Sequence, residues 1–162
     1  RRARELYPES LEANLNLGLL LGEMGRIREA EVFFKKAVEL DSGSAVAAYN
    51  LGMVHAQQKR MGPAIDYLRR AYRLEPEDAQ YAYSLAFYLE RSGDAAASVD
   101  ILRHIIRQET PHVEATLLLG EIYLKQGKTR EARALYQRAL ESVRLSPEEI
   151  AILEGRIAGL PK

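Results

Sequence analysis

Apolar residues along the chain fall into runs of helical length, spaced by three and four positions, and each run is closed by a short polar or glycine-containing turn. The runs come in pairs. Met24-Gly25-Arg26, Arg60-Met61-Gly62-Pro63, Ser92-Gly93-Asp94 and Gln126-Gly127-Lys128 separate the two members of a pair. Asp41-Ser42-Gly43-Ser44, Glu75-Pro76-Glu77-Asp78 and Thr110-Pro111-His112 separate one pair from the next. In these, proline stops one helix and Ser, Thr or Asp caps the following one. Asn16-Leu17-Gly18 recurs 34 residues later as Asn50-Leu51-Gly52, then as Ser84-Leu85-Ala86 and Leu118-Leu119-Gly120. A fixed period of this size predicts stacked helical hairpins, none of which can hide its apolar face without a neighbour.

The period divides the chain into units at 11–44, 45–78, 79–112 and 113–146. Residues 1–9 keep the same register through Ala3, Leu6 and Pro8 and read as the end of a preceding, truncated repeat. After the fourth unit, Ser146-Pro147-Glu148-Glu149 has the form of a capping box with proline at the first helical position. Ile150, Leu153, Ile157 and Leu160 then make one apolar stripe, so 147–160 is expected to be a helix capping the array. Small residues recur where paired helices must approach: Gly18, Gly52, Ala86 and Gly120; Ala30, Ala64, Ser98 and Ala132; Ala37, Ala71, Ile105 and Ala139. Opposite them stand Leu17, Leu51, Leu85 and Leu119, and Phe34, Leu68, Leu102 and Tyr136.

Taken together these positions resemble the tetratricopeptide repeat, a family of 34-residue helical hairpins, over nearly the whole chain. The resemblance implies an all-α fold, a right-handed alpha-alpha superhelix of four repeats and a capping helix. It also implies that the first helix of each hairpin lines a concave groove. In the second unit, Ala48, Leu51, Gly52 and His55 share one helical face, while Val46, Tyr49 and Met53 form a second apolar stripe roughly opposite. The equivalent positions are Leu15 and Leu19, Tyr83 and Phe87, and Leu117 and Glu121. The groove would thus be apolar and aromatic in three repeats and charged in the fourth, through Glu114, Glu121 and Lys125. Asn16 and Asn50 lie at its edge and resemble the asparagine ladder of some peptide-binding members, interrupted by Ser84 and Leu118. The expected peptide-binding residues are therefore Leu15, Asn16, Leu19, Tyr49, Asn50, Met53, Tyr83, Ser84, Phe87 and Glu121. Tyr81 and Tyr88, on a flank of the same helix, are expected to pack between repeats. The carboxylate clamp of chaperone adaptors in the family is absent, because Leu15, Leu19, Asn50, Gln80 and Ser84 stand where it needs Lys, Asn, Asn, Lys and Arg.

Composition narrows the function. Lys plus Arg and Asp plus Glu each number 23, leaving no net charge to draw the chain onto phosphate backbones or anionic lipid. Nucleic acid is not an expected partner. There is no cysteine, hence no disulfide, thiolate metal site or covalent haem attachment within this chain. No apolar run reaches the length of a membrane span. His55, His104 and His112 fall on a core-facing position, an outer helix and a turn, and cannot readily converge on a metal or substrate. No phosphate loop or nucleophile constellation is present. These residues point to a non-enzymatic module with no cofactor, whose partner is a protein segment, either extended or an amphipathic helix. Asp78-Ala79-Gln80-Tyr81-Ala82-Tyr83 and the following repeat resemble segments that trail some bacterial multihaem cytochromes. That implies an alternative, an accessory domain of a larger enzyme or electron-transfer protein. Self-association through exposed repeat ends is a third expectation. The compartment, cytoplasmic or periplasmic, is not legible.

Overall fold

A computed structural model of the protein describes residues 10–107, 112–142 and 144–161. The helix end expected at residues 1–9 lies outside the described residues, as do Thr110 and Pro111 of the third inter-pair turn. Among the described residues there are nine helices: α1 Leu11–Glu23, α2 Ile27–Leu40, α3 Ala45–Gln57, α4 Met61–Leu74, α5 Ala79–Arg91, α6 Ala95–Ile106, α7 Val113–Lys125, α8 Thr129–Leu140 and α9 Pro147–Ala158. No strand occurs among them. The chain forms two compact units that meet in sequence within α5, between Tyr81 and Ala82.

The helix starts are written in short polar side chains that satisfy otherwise orphaned amides. Ser10 accepts from Ala13 N at 3.1 Å, Ser44 from Ala47 N at 3.2 Å, and Asp78 from Tyr81 N at 2.9 Å. Asp94 caps α6 through Ala97 N at 3.1 Å. At α7 the cap is His112, whose Nδ1 accepts from Ala115 N at 3.1 Å. Within hairpins the turn depends on one residue of positive φ: Gly25 at 72°, Gly93 at 94° and Gly127 at 73°. The second hairpin departs from expectation. Its turn is Gln58-Lys59-Arg60, with Lys59 at φ 60°, and Gly62 and Pro63 already belong to the first turn of α4. Proline is tolerated there because the amide it removes has no intrahelical acceptor.

In the first unit α1 packs on α2, α3 on α4, and α2 against α3. Gly18 and Gly52 set the approach within the two hairpins. A Cβ at Gly18 would lie 2.6 Å from Phe34 Cε1; one at Gly52 would lie 2.9 Å from Leu68 Cγ and 3.1 Å from the Leu68 backbone nitrogen. Leu51, Leu68, Ala30, Ala37, Ala64 and Ala71 are fully enclosed, while Leu17 is only half-buried. His55 is buried, stacked on Tyr67 with centroids 5.5 Å apart, as its core-facing position predicts. Desolvation lowers its pKa, and the nearby Arg60 adds to the effect.

In the second unit α6 packs on α7, α7 on α8, and α8 on α9. Tyr136 is fully enclosed against Gly120, so closely that any β-carbon at Gly120 would overlap the phenol oxygen. The Tyr136 hydroxyl and the Ser98 hydroxyl are both buried without a hydrogen-bond partner among the described residues. At α9 the capping box forms in full: Glu149 N donates to Ser146 Oγ at 3.2 Å and Ser146 N to Glu149 Oε2 at 2.7 Å. The apolar stripe is narrower than the sequence implies. Leu153 is fully buried and Ile157 and Leu160 half-buried, but Ile150 stays exposed, since α9 packs chiefly against α8.

Candidate functional site

The first unit brings together the side chains of one sequence-predicted apolar face. On α1, Leu15 is half-buried and Leu19 exposed; on the adjoining α3, Val46 is exposed and Tyr49, Asn50 and Met53 are half-buried. Leu15 also packs on the core around Leu21, Phe34 and Leu51, so it is shared between interior and surface. Tyr49 leans on the buried Tyr81, centroids 4.9 Å apart at 34°, and its hydroxyl accepts from Gln80 Nε2 at 3.1 Å. Tyr81 is thus packing, as expected, and Tyr49 is held in one orientation by it. The helix α3 carries no Asp, Glu, Lys or Arg at all, so nothing charged on it interrupts the apolar strip.

The asparagine row is weaker than its spacing suggests. Asn50 donates its amide to Val46 O, one turn back on its own helix, at 2.8 Å. Asn16 is exposed, and Ser84 is buried and does not extend the row. Asn14, at a position that the repeat pattern does not single out, is buried and donates to Ser10 O at 2.8 Å. Its pairing closes the first turn of α1 and gives it a structural role.

In the second unit the predicted residues are engaged by near neighbours. Tyr83 and Phe87 are half-buried with centroids 6.3 Å apart. Tyr83 also stacks on His112 at 5.5 Å, while Phe87 meets Tyr88 edge-on at 5.1 Å and carries Arg91 over its ring at 5.5 Å. Burial pushes the Tyr83 phenol up, and the negative charge of Glu114 and Glu121 does so further. Glu121 is ion-paired to Arg156 of α9 at 3.0 Å, and Lys125 to Glu90 of α5 at 2.5 Å. The charged stretch expected in the fourth repeat is therefore largely self-neutralised. No group of three or more His, Asp or Glu side chains suited to a metal ion occurs among the described residues.

Tetratricopeptide-repeat family models match residues 9–77 and 89–157. The chain belongs to the tetratricopeptide-repeat family. No curated protein sequence matches significantly. Among solved structures, a crystal structure of MamA is similar with a TM-score of 0.80 at 28% identity, covering 86% of this chain and 82% of that one. YrrB, described as a TPR protein with an unusual peptide-binding site, is similar with a TM-score of 0.76 at 21% identity, over 98% and 84%. PilF of Pseudomonas aeruginosa is similar with a TM-score of 0.72 at 22% identity, over 92% and 69%. The all-α tetratricopeptide solenoid fold is common to all of them, and it is the fold of protein–protein interaction scaffolds. No helix among the described residues is long and apolar enough to cross a membrane.

Proposed function

We propose that the protein is a non-enzymatic scaffold that holds a protein segment against the open face of its first helices, with the strip on α1 and α3 as the principal contact. The observation that carries this is the pair Leu19 and Val46, 43% and 42% exposed on adjoining helices. Water gains from the loss of such a strip when an apolar partner segment covers it. Tyr49 supplies a rigid aromatic beside it, and Asn16 supplies a free amide edge for a peptide backbone. YrrB's description as peptide-binding agrees with this reading. Tyr83, Phe87 and Glu121 are proposed as a second contact, reached after the second unit's local pairs rearrange.

The experiment is capture of a partner by the whole chain, followed by calorimetry on Leu19→Ala, Val46→Ala and Tyr49→Ala variants. Leu19→Ala and Val46→Ala remove exposed apolar surface, whereas Tyr49→Ala also removes packing on the buried Tyr81 and is read against its own unfolding midpoint. Affinity is expected to fall about fivefold to thirtyfold per variant, about 1–2 kcal/mol. Unchanged affinity in all three, with unchanged helical content, would overturn the assignment of the strip.

A further inference from the structure

The two units carry the same polar constellation, and only one of them is complete. In the first unit Glu31, on α2, is clamped by three donors: Lys35 Nζ at 2.7 Å, Gln58 Nε2 at 2.9 Å and Arg60 at 2.5 Å. Gln58 is the C-cap residue of α3 and Arg60 the N-cap residue of α4. Two periods on, 68 residues later, stand Arg103, Gln126 and Lys128. They occupy the same places: Arg103 on α6, Gln126 at the C-cap of α7 and Lys128 at the N-cap of α8. The position equivalent to Glu31 is Val99. The donors of the clamp have been kept and its carboxylate replaced by a half-buried apolar side chain.

Among the described residues the cations there have no carboxylate partner. Arg103 donates through Nε and a terminal nitrogen to the Tyr123 hydroxyl at 3.1 and 2.9 Å, and Lys128 donates to Gln126 Oε1 at 2.7 Å. Both cations lie near the Tyr123 ring, at 5.9 and 6.0 Å from its centroid. The acids nearest in sequence, Asp100 and Glu131, make no ion pair with either. Lys128 also sits at the start of α8, where the helix dipole adds positive potential. The other two basic N-cap residues both have a carboxylate: Arg26 has Glu29 at 2.6 Å and Arg60 has Glu31. Lys128 is the exception among these three.

We propose that Arg103, Gln126 and Lys128 form a docking site for a carboxylate side chain presented by an acidic segment of a partner protein. The carboxylate takes the place that Glu31 fills from within the first unit. The site is exposed and belongs to the second unit, whereas the α1–α3 strip belongs to the first, so it adds a polar contact to an apolar one. It gives charge-assisted bonds of the strong kind, two cations and an amide on one acceptor.

The test uses two short blocked peptides, acetyl-Gly-Glu-Gly-amide and acetyl-Gly-Gln-Gly-amide, titrated into the whole chain at constant ionic strength. NMR follows the Gln126 side-chain amide and the Arg103 Nε–H. The glutamate peptide is expected to give saturable shifts and the glutamine peptide none. In an Arg103→Gln, Lys128→Gln variant the glutamate peptide should bind at least about tenfold more weakly. Val99→Glu should fill the site from inside, abolishing peptide binding and melting at a higher temperature than Val99→Gln. Equal or absent shifts with the two peptides, undiminished binding in the double variant, or undiminished binding in Val99→Glu would each overturn the site. Should Val99→Glu not fold, the double variant, whose changes lie on exposed side chains, decides.

Discussion

Lys59 is the residue whose backbone conformation most contradicts its type. It holds φ at 60°, where the other three hairpin turns place glycine. For a residue with a β-carbon the left-handed region costs about 1–2 kcal/mol, which glycine avoids at the expense of greater freedom in the unfolded chain. Lys59→Gly should therefore stabilise the first unit by about 0.5–1 kcal/mol, read as a shift of the urea midpoint with unchanged slope. The sequence hid this position because glycine and proline at 62 and 63 drew the turn three residues downstream. Periodicity with the other turns, at Gly25, Gly93 and Gly127, marks 59 as the odd one.

At the scale of helices, the hairpins depend on how closely two backbones approach. Gly52 permits α3 to lie against the Leu68 backbone and the Ala64 carbonyl of α4, with a virtual Cβ 3.2 Å from that oxygen. Backbone cannot rotate away as a side chain can, so Gly52→Ala must part the helices. The expected loss is about 1–3 kcal/mol in denaturant unfolding. At Gly18 the nearest atoms to an added Cβ all belong to the Phe34 ring, a side chain that can shift. These contacts were legible beforehand because small residues recur at one place per period. The exposure of Ile150 was not, since a stripe on α9 says which residues share a face and not how much surface α8 has to cover them.

The molecule as a whole is charge-balanced, with 23 basic and 23 acidic residues, so its pH response comes from a few placed groups. Burial would by itself raise the Glu31 pKa, but hydrogen bonds from Lys35, Gln58 and Arg60 outweigh it and hold the carboxyl at about 2, against an ordinary 4.5. The folded state thus resists protonation where the unfolded chain accepts it. The resulting stability is complete above about pH 4.5 and is lost as pH falls towards 2. His55 works in the same direction at milder acidity, because its buried ring is harder to protonate than the ordinary value of 6.5 implies. Thermal melts from pH 7 to pH 2 should show Glu31→Gln less stable than the parent at neutrality. The gap should close between pH 4.5 and 2; a gap constant across that range would contradict the clamp.

The 34-residue period, the pairing of helices, their caps and the small residues between them were determined by the sequence alone, because each is a local or strictly repeating requirement on residue type. The family followed from them. What the tertiary structure decided is which of the recurring side chains remain free. Asn50, predicted as a rung, bonds its own helix; Tyr49 leans on Tyr81; Glu121 is taken by Arg156. Spacing places such groups on a face, but a hydrogen bond or ion pair is settled by a neighbour that spacing does not name. The clamp around Glu31 illustrates the point. Two of its three donors, Gln58 and Arg60, lie 27 and 29 residues away in a separate helix pair, so only packing reveals the clamp whose donors recur 68 residues later as Arg103, Gln126 and Lys128.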